Sequence, residues 1–151
     1  MTSLTRLLGG ALTRAAKPCA VLPADVRVRI RAADRATCPD IHIVCGEVQR
    51  DPDDVNAVVN PIVIVEVLSD STADSDRSEK FADYRKLASL REYVLVSQRE
   101  RRVEIYRREG RRWTLDEYAG GERFSIASLE VELAVDEVYA EVSGRSSDSR
   151  Q

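Results

Sequence analysis

Two acidic residues, Asp40 and Glu66, combine the residue type and the chain position expected of ligands for a divalent cation. Glu66 lies inside NPIVIVEVLSDST (60–72), where branched aliphatic neighbours predict a strand covered on both faces. An ionised carboxylate buried there costs several kcal/mol unless a cation or hydrogen bonds compensate it. Asp40 begins the preceding predicted strand, CPDIHIVCG. If these strands pair antiparallel as sequence neighbours, the two carboxylates become adjacent, and a hard divalent cation would relieve their repulsion.

A helix predicted over roughly residues 76–88 carries a possible third participant. Asp76, Lys80 and Tyr84 recur at intervals of four and therefore share one stripe of the helix surface. A lysine ammonium close to two carboxylates and a metal ion can orient an attacking water and stabilise charge that develops on a phosphate. These residues together indicate phosphoester chemistry.

Each of these residues also has a purely structural interpretation, which the sequence leaves open. Asp76, with Glu79 three residues later, fits a helix N-cap with its capping-box partner. Asp76 and Lys80 also fit a surface ion pair worth a few tenths of a kcal/mol. Glu66 could be the buried partner of Lys80 or of an arginine. Turn formation and core packing are the corresponding interpretations of Asp40 and Tyr84.

The first 24 residues have two interpretations. They contain three basic residues and no acid, like a transit peptide. Their leucines and alanines between positions 4 and 15 nevertheless recur at helical spacing, which favours an amphipathic helix that packs on a core and ends before Pro18.

The remaining pattern predicts a mixed α/β domain. DVRVRIR alternates as a half-buried strand with a basic outer face, EYVLVS is an apolar strand, and RRVEIYRREGRRWTLDEYAGG is a hairpin that turns near Gly110. EVQRDPDDVNAVVNP is interpreted as a polar connection and AVDEVYAEV as a closing helix. We expect one domain over 1–142 and a disordered tail over 143–151.

Composition excludes several classes of protein. The chain of 151 residues has a net charge of -3, so nucleic-acid binding would need a local basic surface. The arginines between 99 and 112 could form one, but their interleaved glutamates favour a solvated hairpin. No apolar run reaches the roughly 18 residues of a membrane span. Three cysteines without a CxxC pair, and one histidine, argue against zinc and for reduced thiols in a cytoplasmic protein.

The segments CPDIHIVCG, NPIVIVEVLSDSTADSDRSEKFADYRKLASLREYVLVS, RRVEIYRREGRRWTLDEYAGG and SLEVEL match a known family in order and spacing. From about Leu4 to Val142 the chain resembles the Uma2 family (DUF820) of bacterial restriction-endonuclease homologues, within the PD-(D/E)XK nuclease superfamily. The resemblance implies a restriction-endonuclease-like core, in which helices flank a central mixed β-sheet, with an added C-terminal β-hairpin region.

The resemblance also implies roles for particular residues. Asp40 corresponds to the aspartate of the PD motif and Glu66 to the acid of the (D/E)XK half-motif, and the two would be the metal ligands. Leu68 stands where that half-motif has lysine, but the family places its lysine on the following helix, where Lys80 matches. Two residues would support this catalytic set: Asp76 and Tyr84.

The implied function is a Mg²⁺- or Mn²⁺-dependent endonuclease that hydrolyses DNA phosphodiester bonds. The alternative is a catalytically inactive nuclease-fold module for nucleic-acid binding or oligomeric assembly. Two departures favour the alternative. Relatives usually begin with an additional segment containing an acidic strand pair, and they often carry aspartate where this chain has Ser97. We also expect a homodimer, because apolar strand segments after Gly121 need cover.

Overall fold

A computed structural model describes residues 2–140 of the chain. The helices are α1 (Thr2–Arg14), α2 (Ala73–Arg77), α3 (Glu79–Tyr84) and α4 (135–140). The strands are β1 (Cys19–Pro23), β2 (Arg27–Ile30), β3 (Arg35–Thr37), β4 (Ile41–Cys45), β5 (Arg50–Asp51), β6 (Asp54–Val58), β7 (Val63–Leu68), β8 (Glu92–Ser97), β9 (Arg102–Glu109), β10 (Arg112–Ala119), β11 (Arg123–Ile126) and β12 (Val131–Ala134). No helix within residues 2–140 has the length and apolarity that crossing a membrane requires.

The centre of the fold is a six-stranded sheet in the order β1-β4-β7-β8-β9-β10. Strands β7 and β8 run parallel, and every other neighbouring pair in this sheet is antiparallel. A four-stranded sheet (β3-β2-β6-β5) and the β11–β12 hairpin complete the strand structure of the described residues. The predicted mixed α/β fold, a central mixed sheet flanked by helices, is confirmed.

Each face of the central sheet is covered by different elements. On the first face, which we call the α1 face, the leucines of α1 and the apolar residues of β11, β12 and α4 pack on β4, β7, β8 and β9. On the opposite face, the α3 face, Phe81, Tyr84 and the apolar residues of β2 pack on β7 and β8. Residues alternate between faces along each strand, so Glu66 points to the α3 face with Ile64 and Leu68.

The N-terminal prediction is confirmed in its helical form. α1 buries Leu4, Leu8, Ala11 and Leu12 against the sheet. The strand segments after Gly121 are also covered within the chain, since Phe124, the apolar residues of β12 and their neighbours belong to the same core. That cover removes the sequence argument for a homodimer, which stays an untested prediction.

Two sequence predictions about local structure are wrong. The helix expected over 76–88 is two short helices that break at Ser78, whose hydroxyl donates to the carbonyl of Asp74 at 2.6 Å and competes with helical hydrogen bonds. Asp76 therefore lies inside α2 and is not an N-cap. The connection over 47–61 contains β5 and β6, where a tight antiparallel turn pairs Asp51 with Asp54.

The expectation of reduced cysteines is wrong for one pair. Cys19 and Cys45 face each other across the β1–β4 ladder and form a disulfide, while Cys38 is free and exposed. The pairing follows from strand register across 26 residues, which residue spacing alone does not reveal. The cytoplasmic compartment stays a prediction, and the expected tail over 143–151 lies outside the described residues.

Candidate active site

Asp40 and Glu66 are neighbours at one end of the central sheet, as the sequence predicted. Ile41 pairs with Val65 in the antiparallel β4–β7 ladder, so the residue before Ile41 lies opposite the residue after Val65. The Asp40 N–H donates to Glu66 Oε1 at 2.9 Å, and the Val67 N–H donates to Asp40 Oδ2 at 2.7 Å. Because each carboxylate accepts a backbone hydrogen bond from the opposite strand, both are held in a fixed orientation.

The two carboxylates differ in exposure. Glu66 is only 3% exposed, whereas Asp40 is half-buried. Burial raises the pKa of Glu66 to about 7, against the hydrogen bond from Asp40 and the charge of Lys80, which lower it. The negative charges of Asp40 and Asp76 raise it further. Glu66 therefore sits in surroundings that favour an additional positive charge beside it.

Lys80 extends from α3 toward this pair of acids. Its Nζ lies 2.8 Å from Asp76 Oδ1 and 3.5 Å from Glu66 Oε2. Burial alone would lower the pKa of Lys80, but the hydrogen bond to Asp76 and the charge of Glu66 outweigh burial and raise it. Lys80 is therefore an ammonium at neutral pH and can donate a proton in a hydrogen bond, but it cannot serve as a base.

Tyr84 completes the group from the next turn of α3. The side chain is fully buried, and its hydroxyl lies 3.2 Å from both Glu66 Oε2 and Thr37 Oγ1. Burial, followed by the charge of Glu66, raises the pKa of Tyr84 far above its usual range, so the hydroxyl stays protonated. Core packing and support of Glu66, which the sequence offered as separate interpretations, apply to this residue together.

Replacing Tyr84 by Phe tests this support. The change removes one buried hydroxyl and leaves the ring in the core, so we expect unfolding free energy to fall by about 1 kcal/mol and the melting temperature by about 2–4 °C. Tyr106→Phe is the matched control, because its hydroxyl makes no hydrogen bond within residues 2–140. Equal melting temperatures for the two variants would show that the Tyr84 hydroxyl contributes nothing.

An open cleft of about 600 Å³ reaches Asp40 from the α1 face, bordered also by Ser97, Gln98 and Tyr139. Ser97 closes β8, and its Oγ accepts hydrogen bonds from the backbone N–H groups of Arg99 and Glu100 at 3.2 and 3.4 Å. This hydroxyl therefore shapes the turn that forms one wall of the cleft. Glu66 lies beneath, on the α3 face, so Asp40 is the solvent-accessible member of the acidic pair.

Five further residues, His42 and four arginines of the hairpin region, have structural roles. His42 is fully buried beside the site, and burial lowers its pKa to about 4, so it is neutral at pH 7. Arg99 and Arg101 pair with Asp70 and Asp136. Arg102 and Arg107, further along the hairpin, likewise bind Glu117 and Asp116. Most hairpin arginines are thus neutralised within the chain, as the solvated-hairpin interpretation expects.

Residues 2–136 match the sequence model of a family described as "Uma2: Putative restriction endonuclease". The chain belongs to the Uma2 family. The match spans the candidate site from Asp40 to Tyr84 and every described strand. The resemblance noted from the motifs is confirmed.

Two relatives are similar in sequence to this Uma2 chain. The Synechocystis sp. protein named "Uncharacterized protein slr1290" is 30% identical over 122 residues, which cover 80% of this chain and 63% of the relative. "Uncharacterized protein sll1609" from the same organism is 37% identical over 101 residues, covering 66% of this chain and 57% of the relative. The chain thus spans about three fifths of the length of these relatives.

A solved structure shares the fold. The "Crystal structure of a putative nuclease belonging to DUF820 from Anabaena variabilis" superposes with a TM-score of 0.71 at 13% sequence identity. The superposition covers 93% of this chain and 80% of the Anabaena chain. At that identity the likeness establishes the Uma2 fold alone.

Sequence reasoning missed two contributors to the site in this Uma2 chain. Thr37, at the end of β3, contacts the Tyr84 hydroxyl, and the Tyr93 hydroxyl donates to the Asp76 carbonyl at 2.9 Å. No signal near Thr37 marks it, because β3 reaches the site only through the second sheet. Tyr93 is the second residue of an apolar strand and could have been inferred to need a buried hydrogen-bond partner.

Proposed function

We propose that this protein is a divalent-metal-dependent endonuclease that hydrolyses phosphodiester bonds in DNA, with Asp40 and Glu66 as metal ligands and Lys80 as the catalytic cation. The observation that carries the proposal is the acidic pair itself. Two carboxylates are fixed by reciprocal hydrogen bonds at the end of a sheet, and an ammonium lies 3.5 Å from one of them. Family membership supports the same reaction class.

The oxygens of the pair fit Mg²⁺ or Mn²⁺. Glu66 Oε1 accepts one hydrogen bond and Asp40 Oδ1 none within the described residues, so each carboxylate keeps a lone pair for a ligand. Within residues 2–140 no three His, Cys, Asp or Glu side chains converge as a metal cluster. Mg²⁺ commonly binds through one or two carboxylates and retains several waters, which suits a site with two acids and an open cleft.

A bound divalent cation would supply Lewis acidity and lower the pKa of a water molecule that it holds. The protein residues then have separate tasks. Lys80 donates hydrogen bonds to the phosphate oxygens or to the attacking water, and its charge stabilises the negative charge of the transition state. Asp76 holds the Lys80 ammonium at 2.8 Å, and Tyr84 holds Glu66.

Access to the pair is consistent with a large substrate. The cleft at Asp40 is continuous in its lining with a second open cleft of about 660 Å³, because both are bordered by Ser97 and Gln98. An open groove of this kind accommodates a polymer whose ends lie outside the site, as endonucleolytic cleavage requires.

Nicking of supercoiled plasmid DNA tests the proposal. Wild-type protein with Mn²⁺ or Mg²⁺ is expected to convert supercoiled plasmid to the open circular form, and EDTA should abolish the conversion. Asp40→Asn, purified in parallel, keeps an oxygen that accepts the Val67 N–H and therefore keeps the fold, but loses the anionic ligand. Equal nicking by both proteins would identify a contaminating nuclease and contradict the proposal.

One observation favours the inactive-module alternative. The described residues bring no third acid or histidine into the ligand set. If the wild type cleaves no nucleic acid with either metal, while remaining folded, the nuclease-fold module for binding or assembly is the better account.

A further inference from the structure

Most arginines of the described residues are paired with an acidic side chain. The salt-bridged arginines are Arg27, Arg29, Arg31, Arg35, Arg77, Arg99, Arg101, Arg102, Arg107 and Arg123. Such pairing neutralises charge locally, which agrees with the small net charge of the chain. The exceptions among residues 2–140 are eight arginines: Arg6, Arg14, Arg50, Arg85, Arg91, Arg108, Arg111 and Arg112.

Three of the exceptions lie together where α3 ends and β8 begins. We call Arg85, Arg91 and Arg108 the α3-end basic patch. The Arg108 backbone N–H donates to the Arg91 carbonyl at 2.9 Å, and Arg108 Nη2 donates to the Arg85 carbonyl at 3.1 Å. Within residues 2–140 none of the three forms a salt bridge, and Arg85 and Arg91 are exposed.

Two acids that neighbour the patch in the chain have arginine partners. Asp83 pairs with Arg35 at 2.6 Å, and buried Glu92 binds Arg107 and the Ser128 hydroxyl. Glu109, next to Arg108, accepts from the Thr114 hydroxyl at 3.1 Å and forms no salt bridge within residues 2–140. Burial lowers the pKa of Arg108, and so do the positive charges of Arg91 and Arg85.

The surroundings extend the positive charge and add an aromatic surface. Arg108 stacks over the Trp113 ring, 4.7 Å from its centroid. Further exposed basic residues follow directly in the chain: Lys86, Arg111 and Arg112. Three neighbouring arginines without a salt bridge among the described residues are expected to attract a polyanion.

The patch lies on the same face as Glu66 and Lys80. Glu66 pairs with Leu95 in the β7–β8 ladder, and Arg91 precedes Leu95 by four residues. At about 3.3 Å per strand residue the separation along the strand is about 13 Å. A DNA strand rises about 3.4 Å per nucleotide, so this separation corresponds to about four nucleotides.

We propose that the α3-end basic patch binds the phosphodiester backbone of duplex DNA about four nucleotides from the bond at the acidic pair. The identification of the polyanion as DNA rests on the proposed function. The contact is to phosphates and is independent of base sequence, because the exposed arginines Arg85 and Arg91 present guanidinium groups that bind phosphate oxygens.

Fluorescence anisotropy with a labelled 25-base-pair duplex in EDTA measures this contact without cleavage. Arg85→Gln/Arg91→Gln is expected to weaken binding about tenfold or more and to reduce the slope of log K against log salt by about 2, since about 0.9 is lost per phosphate contact. Arg6→Gln/Arg14→Gln is the matched control. It removes the same charge from two exposed arginines of α1 that border neither open cleft, and should bind within about twofold of wild type at the same salt concentration.

Three results would overturn the inference: no duplex binding by the wild type, equal weakening in both double variants, or undiminished binding by Arg85→Gln/Arg91→Gln. Binding to phosphatidylserine vesicles that requires these arginines, without duplex binding, would overturn it as well. The nuclease proposal is refuted by a different result. A wild type that binds DNA through the patch but never nicks plasmid would refute cleavage and support the patch. A wild type that nicks plasmid but does not bind DNA through the patch would support cleavage and refute the patch.

Discussion

Lys80→Met and Lys80→Gln are each expected to reduce metal-dependent plasmid nicking by at least about 100-fold. Removing a single preorganised donor from a transition state costs about 10²–10³ in rate. Lys80 is the cation nearest to Glu66, at 3.5 Å, and its pKa is raised, so it provides both the charge and the hydrogen-bond donors. Initial rates of supercoiled-plasmid conversion in Mn²⁺ give the measurement.

The two Lys80 variants should differ in stability. Asp76 is 1% exposed, and Lys80 Nζ is the cation beside its Oδ1. Methionine leaves this carboxylate buried without a cation, which is expected to destabilise the fold by about 3 kcal/mol. Glutamine keeps an amide N–H donor on a side chain of similar reach, so Lys80→Gln should lose less stability than Lys80→Met. Loss of nicking in folded Lys80→Gln would therefore identify a catalytic defect.

Lys17→Met is the matched control for this series. Lys17 pairs with the exposed Glu130, and such a surface pair contributes little to stability. Its nicking rate should equal that of the wild type. If Lys80→Gln nicks at the wild-type rate, Lys80 is a structural partner of Asp76 and the proposed mechanism loses its cation.

Glu66→Gln is expected to leave the metal-free protein equally stable or more stable, while removing most of the stabilisation by Mn²⁺. Burial raises the pKa of Glu66, so ionising it destabilises the native state. Lys80 is not left without a partner in this variant, because Asp76 remains 2.8 Å away. The Gln side-chain oxygen can still accept the Asp40 N–H.

The metal response supplies the second readout for Glu66. Mn²⁺ at 100 times its dissociation constant adds about 2.7 kcal/mol to the wild type, which is a rise of about 5–11 °C in melting temperature for a domain of this size. The Gln variant should lose most of this rise. Thermal unfolding with and without Mn²⁺ measures both quantities in one experiment.

The pH dependence of the free energy of unfolding shows whether ionised Glu66 stabilises or destabilises the metal-free protein. The pKa of the Glu66 carboxyl is near 7 in the folded protein and lower in the unfolded chain. The free energy of unfolding therefore falls as pH rises from about 4.5 to 8. Glu66→Gln has no carboxyl at this position and does not lose stability in this way. The excess of its unfolding free energy over that of the metal-free wild type should therefore grow between pH 5 and pH 8. A metal-free variant that is about 3–5 kcal/mol less stable than the wild type would make Glu66 a structural ion-pair partner.

The adjacency of Asp40 and Glu66 was predictable because it depends on local rules. Strand periodicity places Glu66 on one face, and antiparallel pairing brings the start of β4 to the end of β7. This pairing forms although β5 and β6 intervene in the chain, because those two strands belong to the second sheet. The stripe of Asp76, Lys80 and Tyr84 was also correct as a set of neighbours, since Lys80 contacts Asp76 and Tyr84 contacts Glu66.

Burial and long-range register were not predictable from the same rules. Asp76 and Lys80 match a surface pair at four-residue spacing, yet Asp76 is buried because α2 packs on β7 and Tyr93 binds its carbonyl. The disulfide of Cys19 and Cys45 depends on β1 pairing with β4, and β6 depends on a parallel pairing with β2. Such contacts form between distant segments, and the sequence of one segment does not indicate which other segment it will contact.

A manganese soak of crystals of the protein, read by anomalous scattering, tests the central claim most directly. We expect one anomalous peak with a carboxylate oxygen of Asp40 and one of Glu66 within about 2.0–2.6 Å, and no peak there in Asp40→Asn crystals. Wild-type crystals soaked in excess Mn²⁺ that show no peak between these two carboxylates would contradict the account.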